Sequence, residues 1–149
     1  MTLPDGYVFR KLKLSDYSSY VENLKVLTTV GNITIENFTK LLNYWESLPD
    51  LYHPYVISSP AGVVVATGML LVEHKLIHEC GLVGHIEDIS VSTSEQGKKL
   101  GYYMITSLTS IAKEYGCYKV ILDCSPENAG FYGKCGFKQC GIEMSTRFD

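Results

Sequence analysis

The spacing of apolar residues changes several times along this chain, and each change marks an element. Tyr7 to Lys11 (YVFRK) is short and β-prone and reads as a first strand. After Ser15, a candidate N-cap, apolar side chains recur at Tyr17, Tyr20, Val21, Leu24 and Leu27, which is one face of a helix. Thr28 to Asn32 interrupts it. The spacing predicts a second helix after Thr34, with Ile35, Phe38, Leu41, Leu42, Trp45 and Leu48 on one side and Pro49-Asp50 as its stop.

The middle of the chain is strand-like. Pro54 to Ser59 and Gly62 to Glu73 read as strands joined by a turn over Ser58 to Gly62. Val63 to Val72 is a near-continuous apolar run, as expected of a central strand covered on both faces. Lys75 to His78 reads as a loop and His85 to Val91 as a further strand. A helix is then predicted over Leu100 to Tyr115, striped by Leu100, Met104, Leu108, Ile111 and Tyr115. Strand Lys119 to Cys124, a short helix Asn128 to Cys135 and a last strand from Lys138 to Arg147 complete the pattern. Antiparallel strands followed by strand–helix–strand–helix–strand predict a three-layer α/β fold around a mixed sheet. One domain is expected over residues 1–149.

Composition narrows the function classes. Thirteen Lys and Arg against sixteen Asp and Glu give a net charge of -3, which argues against a nucleic-acid partner. Apolar residues make up 46%, enough for a globular interior. No apolar run approaches the ~18–20 residues of a membrane span, and Met1 to Arg10 carries no signal-peptide pattern. The five cysteines form no CxxC pair, so reduced thiols and a cytoplasmic setting are expected. Arginine is the residue best suited to forked phosphate contacts, and only Arg10 and Arg147 occur. His74 and His78 stand four apart, but no long helix carries them and the HExxH pattern is absent, so no metal is expected.

The chemistry gathers where the strand ending at Val91 runs through a polar loop into the helix at Leu100. Free backbone N–H groups at such a helix start, with Lys98 and Lys99 nearby, suit a phosphate or pyrophosphate. An ordinary glycine-containing turn reads equally well from these residues alone. Gln96 to Gly101 (QGKKLG) resembles the Q/R-x-x-G-x-G/A pyrophosphate loop of the GNAT acetyltransferase superfamily, with Lys99 standing where the first motif glycine would be. Asn128 to Phe137 (NAGFYGKCGF) resembles the superfamily's N-x-x-F-Y-x-x-x-G-F marker. Leu3 to Gly6, Leu27 to Gly31, Lys75 to Glu79, Gly84 to Ile89, Tyr115 to Lys119 and Ile121 to Cys124 are similar to eukaryotic glucosamine 6-phosphate N-acetyltransferases. The similarity is interrupted around Leu48 to His53.

This resemblance implies a GNAT acyltransferase fold that moves an acetyl group from acetyl-CoA to the amine of glucosamine 6-phosphate, on the way to UDP-N-acetylglucosamine. It implies direct attack in a ternary complex, a homodimer that exchanges its C-terminal strand, and no metal. Cofactor contacts would come from Ile89, Ser90, Val91, Gly97, Lys98, Lys99, Leu100, Gly101, Tyr102, Asn128 and Tyr132. Tyr132 would stabilise or protonate the departing thiolate, although a buried tyrosine is also an ordinary core residue. Glu87 is the candidate to orient or deprotonate the amine, with Asp123 near it. Sugar contacts would come from Thr28, Lys75, Leu76, Ile77, His78, Glu87, Asp88, Ile89 and Asp123, and the phosphate contact from Arg147. Regular strand geometry would send Glu87 and Asp88 to opposite faces. A GNAT enzyme for another amine or a protein lysine, and a non-catalytic acyl-CoA-binding module, remain alternatives at this level.

Overall fold

The computed structural model describes residues 2–149. Five strands form one sheet in chain order: β1 (Val8–Lys11), β2 (Tyr52–Ser58), β3 (Val64–His74), β4 (Leu82–Val91) and β5 (Cys117–Ile121). Neighbours are antiparallel from β1 to β4, and β5 joins β4 in parallel. A parallel neighbour needs a crossover, which α4 (Leu100–Tyr115) supplies. The other helical segments are α1 (Tyr17–Leu24), α2 (Ile35–Ser47), a single turn α3 (Ile77–Cys80) and α5 (Ala129–Lys134).

The sheet is covered on both faces over its centre, giving three layers. On one face the apolar stripe of α4 (Leu100, Met104, Ile105, Leu108, Ala112) packs with Ile57, Leu70, Val72 and Ile86. On the other, Tyr20 of α1 with Phe38 and Leu42 of α2 packs on Leu12, Val56 and Val64. Strand β3 lies between the two layers, so its first seven residues are all buried, as the unbroken apolar run predicts. Thr34 caps α2 by accepting the Asn37 N–H at 3.1 Å, and Gly116 ends α4 in the left-handed conformation (φ 92°).

Several boundaries differ from the sequence expectation. Ser15 is not the cap of α1. A 3₁₀ turn over Leu14–Asp16 precedes it, and Asp16 accepts the Lys13 N–H at 2.9 Å. The helix stops at Leu24, with Lys25 to Leu27 forming a turn. Strand β4 begins three residues earlier than expected, and β5 spans Cys117–Ile121 rather than 119–124. The expected strand Lys138 to Arg147 does not form. The segment carries no ladder, and Ile142, Met144 and Phe148 are 91%, 90% and 97% exposed. A strand needs a neighbouring edge, and among the described residues none pairs with it.

Candidate active site

A break in the β3–β4 ladder shapes the site. The register runs Met69↔Glu87 and then Thr67↔Ser90, so Gly68 faces two residues, Asp88 and Ile89. This is a β-bulge, and Asp88 takes the left-handed conformation (φ 54°) at it. The regular alternation expected for Glu87 and Asp88 therefore fails here, and both side chains are exposed. Thr67 fastens the bulge, donating its hydroxyl to the Asp88 carbonyl at 2.9 Å and lying 2.6 Å from the Ser90 hydroxyl. Gly68 is required for packing: a Cβ there would sit 2.8 Å from Met104 Sδ and 2.9 Å from both Ile89 Cδ1 and Leu108 Cδ1.

Beyond the bulge the sheet opens. The β4–β5 register ends at His85↔Ile121, so Glu87 to Val91 has no β5 partner on that side. An open backbone edge results, and it forms one wall of a cleft of about 520 Å³. The opposite wall is the start of α4. Tyr103 makes the first helical hydrogen bond, to the Lys99 carbonyl at 3.1 Å, so the N–H groups of Leu100, Gly101 and Tyr102 have no acceptor within the helix. Those donors stand at the positive end of a sixteen-residue helix.

Ten of the sequence-predicted cofactor residues line this cleft: Ile89, Ser90, Val91, Gly97, Lys99, Leu100, Gly101, Tyr102, Asn128 and Tyr132. Lys98 does not. Its Nζ lies 2.5 Å from Glu95 Oε2 and 2.9 Å from the Tyr7 hydroxyl. Val26, Leu27, Glu95, Gln96 and Phe131 also line it. None of these five is among the expected cofactor contacts. Phe131 has a readable cause, since Gly101 leaves room for its ring: a Cβ would lie 3.3 Å from Phe131 Cζ.

Tyr132 lies in α5, half-buried, edge-on to Phe131 (5.0 Å between ring centres) and Phe137 (6.4 Å). Burial, with the neighbouring Cys124 and Cys135 thiols, pushes its phenol above the ordinary value, so it stays protonated at neutral pH. Glu87 is also pushed up, first by partial burial and then by the carboxylates of Asp88 and Asp123. Glu87 and Asp123 are thus within electrostatic reach of one another, although 36 residues apart in sequence. Among the described residues no group of three or more His, Cys, Asp or Glu side chains gathers to hold a metal.

The model of the Acetyltransferase (GNAT) family matches residues 20–137. The chain belongs to the GNAT acetyltransferase family. Glucosamine 6-phosphate N-acetyltransferase of Candida albicans is 70% identical over 149 residues, spanning 99% of this chain and 100% of that protein. The Arabidopsis thaliana protein of the same name is 40% identical over 149 residues, spanning 99% and 100%. The crystal structure of glucosamine-6-phosphate N-acetyltransferase from Arabidopsis thaliana superposes with a TM-score of 0.93 at 41% identity, covering 96% of this chain and 99% of that one. A predicted acetyltransferase with acetyl-CoA from Clostridium acetobutylicum shares the fold, with a TM-score of 0.70 at 20% identity and coverage of 95% and 96%. Within GNAT, the chain groups with the glucosamine 6-phosphate N-acetyltransferases.

The GNAT loop explains one departure from its own motif. Lys99 occupies the first motif-glycine position and adopts φ 60°, ψ 27°, the left-handed conformation that glycine takes without steric cost. A lysine there costs roughly 1–2 kcal/mol. Gly97 before it is also left-handed (φ 87°), so the loop turns twice before α4 begins.

The sugar-contact candidates are distributed differently. Glu87, Asp88 and Ile89 lie at the bulge. Thr28 follows the turn after α1, its N–H bonded to the Leu24 carbonyl at 3.2 Å. Lys75, Leu76, Ile77 and His78 form the β3–β4 connection, where His78, Glu79 and Cys80 are all left-handed (φ 52°, 57° and 60°). His78 stacks on Tyr118 with ring centres 4.0 Å apart, and Lys75 Nζ lies 3.2 Å from Glu73 Oε2. Arg147 is exposed and, among the described residues, its side chain bonds only to Asp149, at 3.0 Å, so the single chain does not bring it to the cleft-lining residues. The other arginine, Arg10, is structural, forking onto Asp16 at 2.7 and 2.9 Å.

Proposed function

We propose that this chain transfers the acetyl group of acetyl-CoA to the amine of glucosamine 6-phosphate, giving N-acetylglucosamine 6-phosphate for UDP-N-acetylglucosamine synthesis. The observation that carries this reading is the cleft between the open β4 edge and the free amides of α4, with Tyr132 on its wall. The names borne by relatives 70% and 40% identical over their whole length support the acceptor.

Acetyl-CoA, when bound, supplies the thioester whose acyl carbon is attacked. The amides of Gly97 to Tyr102 would hold its pyrophosphate, because unpaired helix-start N–H groups and the helix dipole both favour an anion. The edge of Ile89 to Val91 would pair with the pantetheine arm as another strand would, and would aim a main-chain N–H at the thioester carbonyl oxygen. Glu87 takes the proton that the substrate ammonium must lose before its nitrogen can attack; its raised affinity for protons suits that task. Tyr132, protonated at neutral pH, donates a hydrogen bond to the departing sulfur. Positioning of amine against acyl carbon supplies much of the rate.

The working unit is a homodimer. Residues 138–147 would pair with the partner subunit, and Arg147 would meet the sugar phosphate there with Lys75, His78 and Thr28. The alternating apolar positions Ile142 and Met144, exposed in the single chain, support such pairing. No helix among the described residues is long and apolar enough to cross a membrane, and the free thiols suit a cytoplasmic setting.

Direct attack has a simple test. Protein incubated with acetyl-CoA alone should keep its mass and release no thiol, and adding glucosamine 6-phosphate should start release. An acetylated protein that transfers its group on later addition of the sugar would contradict direct attack.

A further inference from the structure

Glu87 shares its face of the sheet with other titratable groups. Cross-strand partners lie on one face, and the ladder runs Met69↔Glu87, Leu71↔His85 and Glu73↔Val83. Glu73, His85 and Glu87 therefore project to the face turned away from α4, while Gly84 and Ile86 turn towards it. The bulge begins only after Glu87, so it does not break the alternation between His85 and Glu87. Their Cα atoms are about 6–7 Å apart along the strand.

His85 is held in place. Its Nε2 lies 2.9 Å from Glu73 Oε1, and Lys75 Nζ anchors the other oxygen of Glu73 at 3.2 Å. An ionised carboxylate only accepts hydrogen bonds, so Nε2 carries the proton and Nδ1 is left as the acceptor. No hydrogen bond in the chain fills Nδ1 among the described residues, and the side chain is 25% exposed, which leaves it a path to water.

We propose that His85, oriented by Glu73, is the relay that carries the amine's proton from Glu87 to solvent. This rests on the reading of Glu87 as the base. The substrate ammonium gives one proton to the Glu87 carboxylate. Glu87 passes it through a bridging water to Nδ1 of His85, and the imidazolium is stabilised by the Glu73 carboxylate at Nε2. Release of that proton to buffer resets both groups. The amine's second proton leaves with the thiol, so one proton is released per turnover and no electrons are exchanged. The charged groups facing His85 are Glu73 and Lys75 from β3, Glu87 on its own strand, and Lys119 and Asp123 flanking its β5 partner Ile121. Glu143 of the C-terminal segment acts on Glu87.

The test is His85→Gln, which keeps an amide donor for Glu73 but cannot accept a proton. In dilute buffer its kcat should fall about tenfold or more, with KM for both substrates within about twofold, and added imidazole should restore kcat saturably. Thermal melting and acetyl-CoA binding at the wild-type level confirm an intact protein. Should His85→Gln fail to fold, Glu73→Gln, at a half-buried position, should show the same buffer-dependent loss with imidazole rescue. A wild-type kcat in dilute buffer, or a loss that imidazole leaves untouched, would overturn the relay. Glu87→Gln separates the two readings. If it is inactive with or without imidazole while His85→Gln is fully active, the base stands and the relay falls. If Glu87→Gln is itself active, both fall.

Discussion

At the scale of single residues, the same side-chain type serves different ends, and environment decides which. Arg10 and Asp16 form a fork with a 5% exposed carboxylate, reinforced by the Lys13 N–H. Burial pushes the Asp16 carboxyl up, but the Arg10 fork and the Lys13 amide outweigh it and hold it below its ordinary value. A lowered folded-state value means the stabilisation is complete above the unfolded carboxylate range, about pH 4, and is lost as pH falls through the folded value. Arg10→Ala should therefore cost about 2–3 kcal/mol at pH 7 by urea unfolding, and the gap from wild type should narrow below about pH 4. A cost below about 0.5 kcal/mol at pH 7 would show that the fork adds nothing. Tyr132→Phe keeps the ring packing on Phe131 and Phe137 and removes only the phenol. Its kcat should fall at least tenfold with acetyl-CoA binding intact, and an unreduced kcat would remove the tyrosine from the reaction. Arginine scarcity alone could not separate Arg10 from Arg147, because it carries no information about a partner six residues away.

At the scale of elements, periodicity was readable wherever geometry is regular. The buried run of β3 and most of the α4 stripe follow from spacing, because a helix face and a doubly covered strand each impose one repeat; Leu100, Met104 and Leu108 are buried as predicted, whereas Tyr115 is exposed and Ile105 and Ala112 complete the face instead. The bulge was not read, since one extra residue shifts register without altering composition. Its signal was present as Gly68 inside an otherwise apolar strand, a place where glycine marks a bulge or a close backbone approach. Gly68→Ala should cost about 1–3 kcal/mol through overpacking against Met104, Ile89 and Leu108, and should weaken acetyl-CoA binding by shifting the β4 edge. Thermal melts and binding isotherms check both, and an alanine variant with unchanged stability would mean the packing is looser than the contacts imply. The loop before α4 was legible as a motif rather than as physics, because glycine-containing turns before helices are common and only the second marker made the first specific.

At the scale of the whole molecule, the C-terminal segment is where the pattern within one chain stops being sufficient. Residues 138–147 alternate as a strand does, yet in a single chain they pair with nothing, and Ile142 and Met144 stay exposed. Strand pattern specifies a neighbour without naming which chain supplies it. Light scattering should give about twice the 16.6 kDa chain mass at assay concentration, and a monomer with full activity would separate the sugar-phosphate site from the last strand. The decisive measurement is thiol release from acetyl-CoA with glucosamine 6-phosphate and, in parallel, with unphosphorylated glucosamine. Strong turnover with the phosphate and little without it is the predicted result. Equal turnover with both, or turnover with neither despite acetyl-CoA binding, would contradict the assignment of this site to an amino-sugar phosphate.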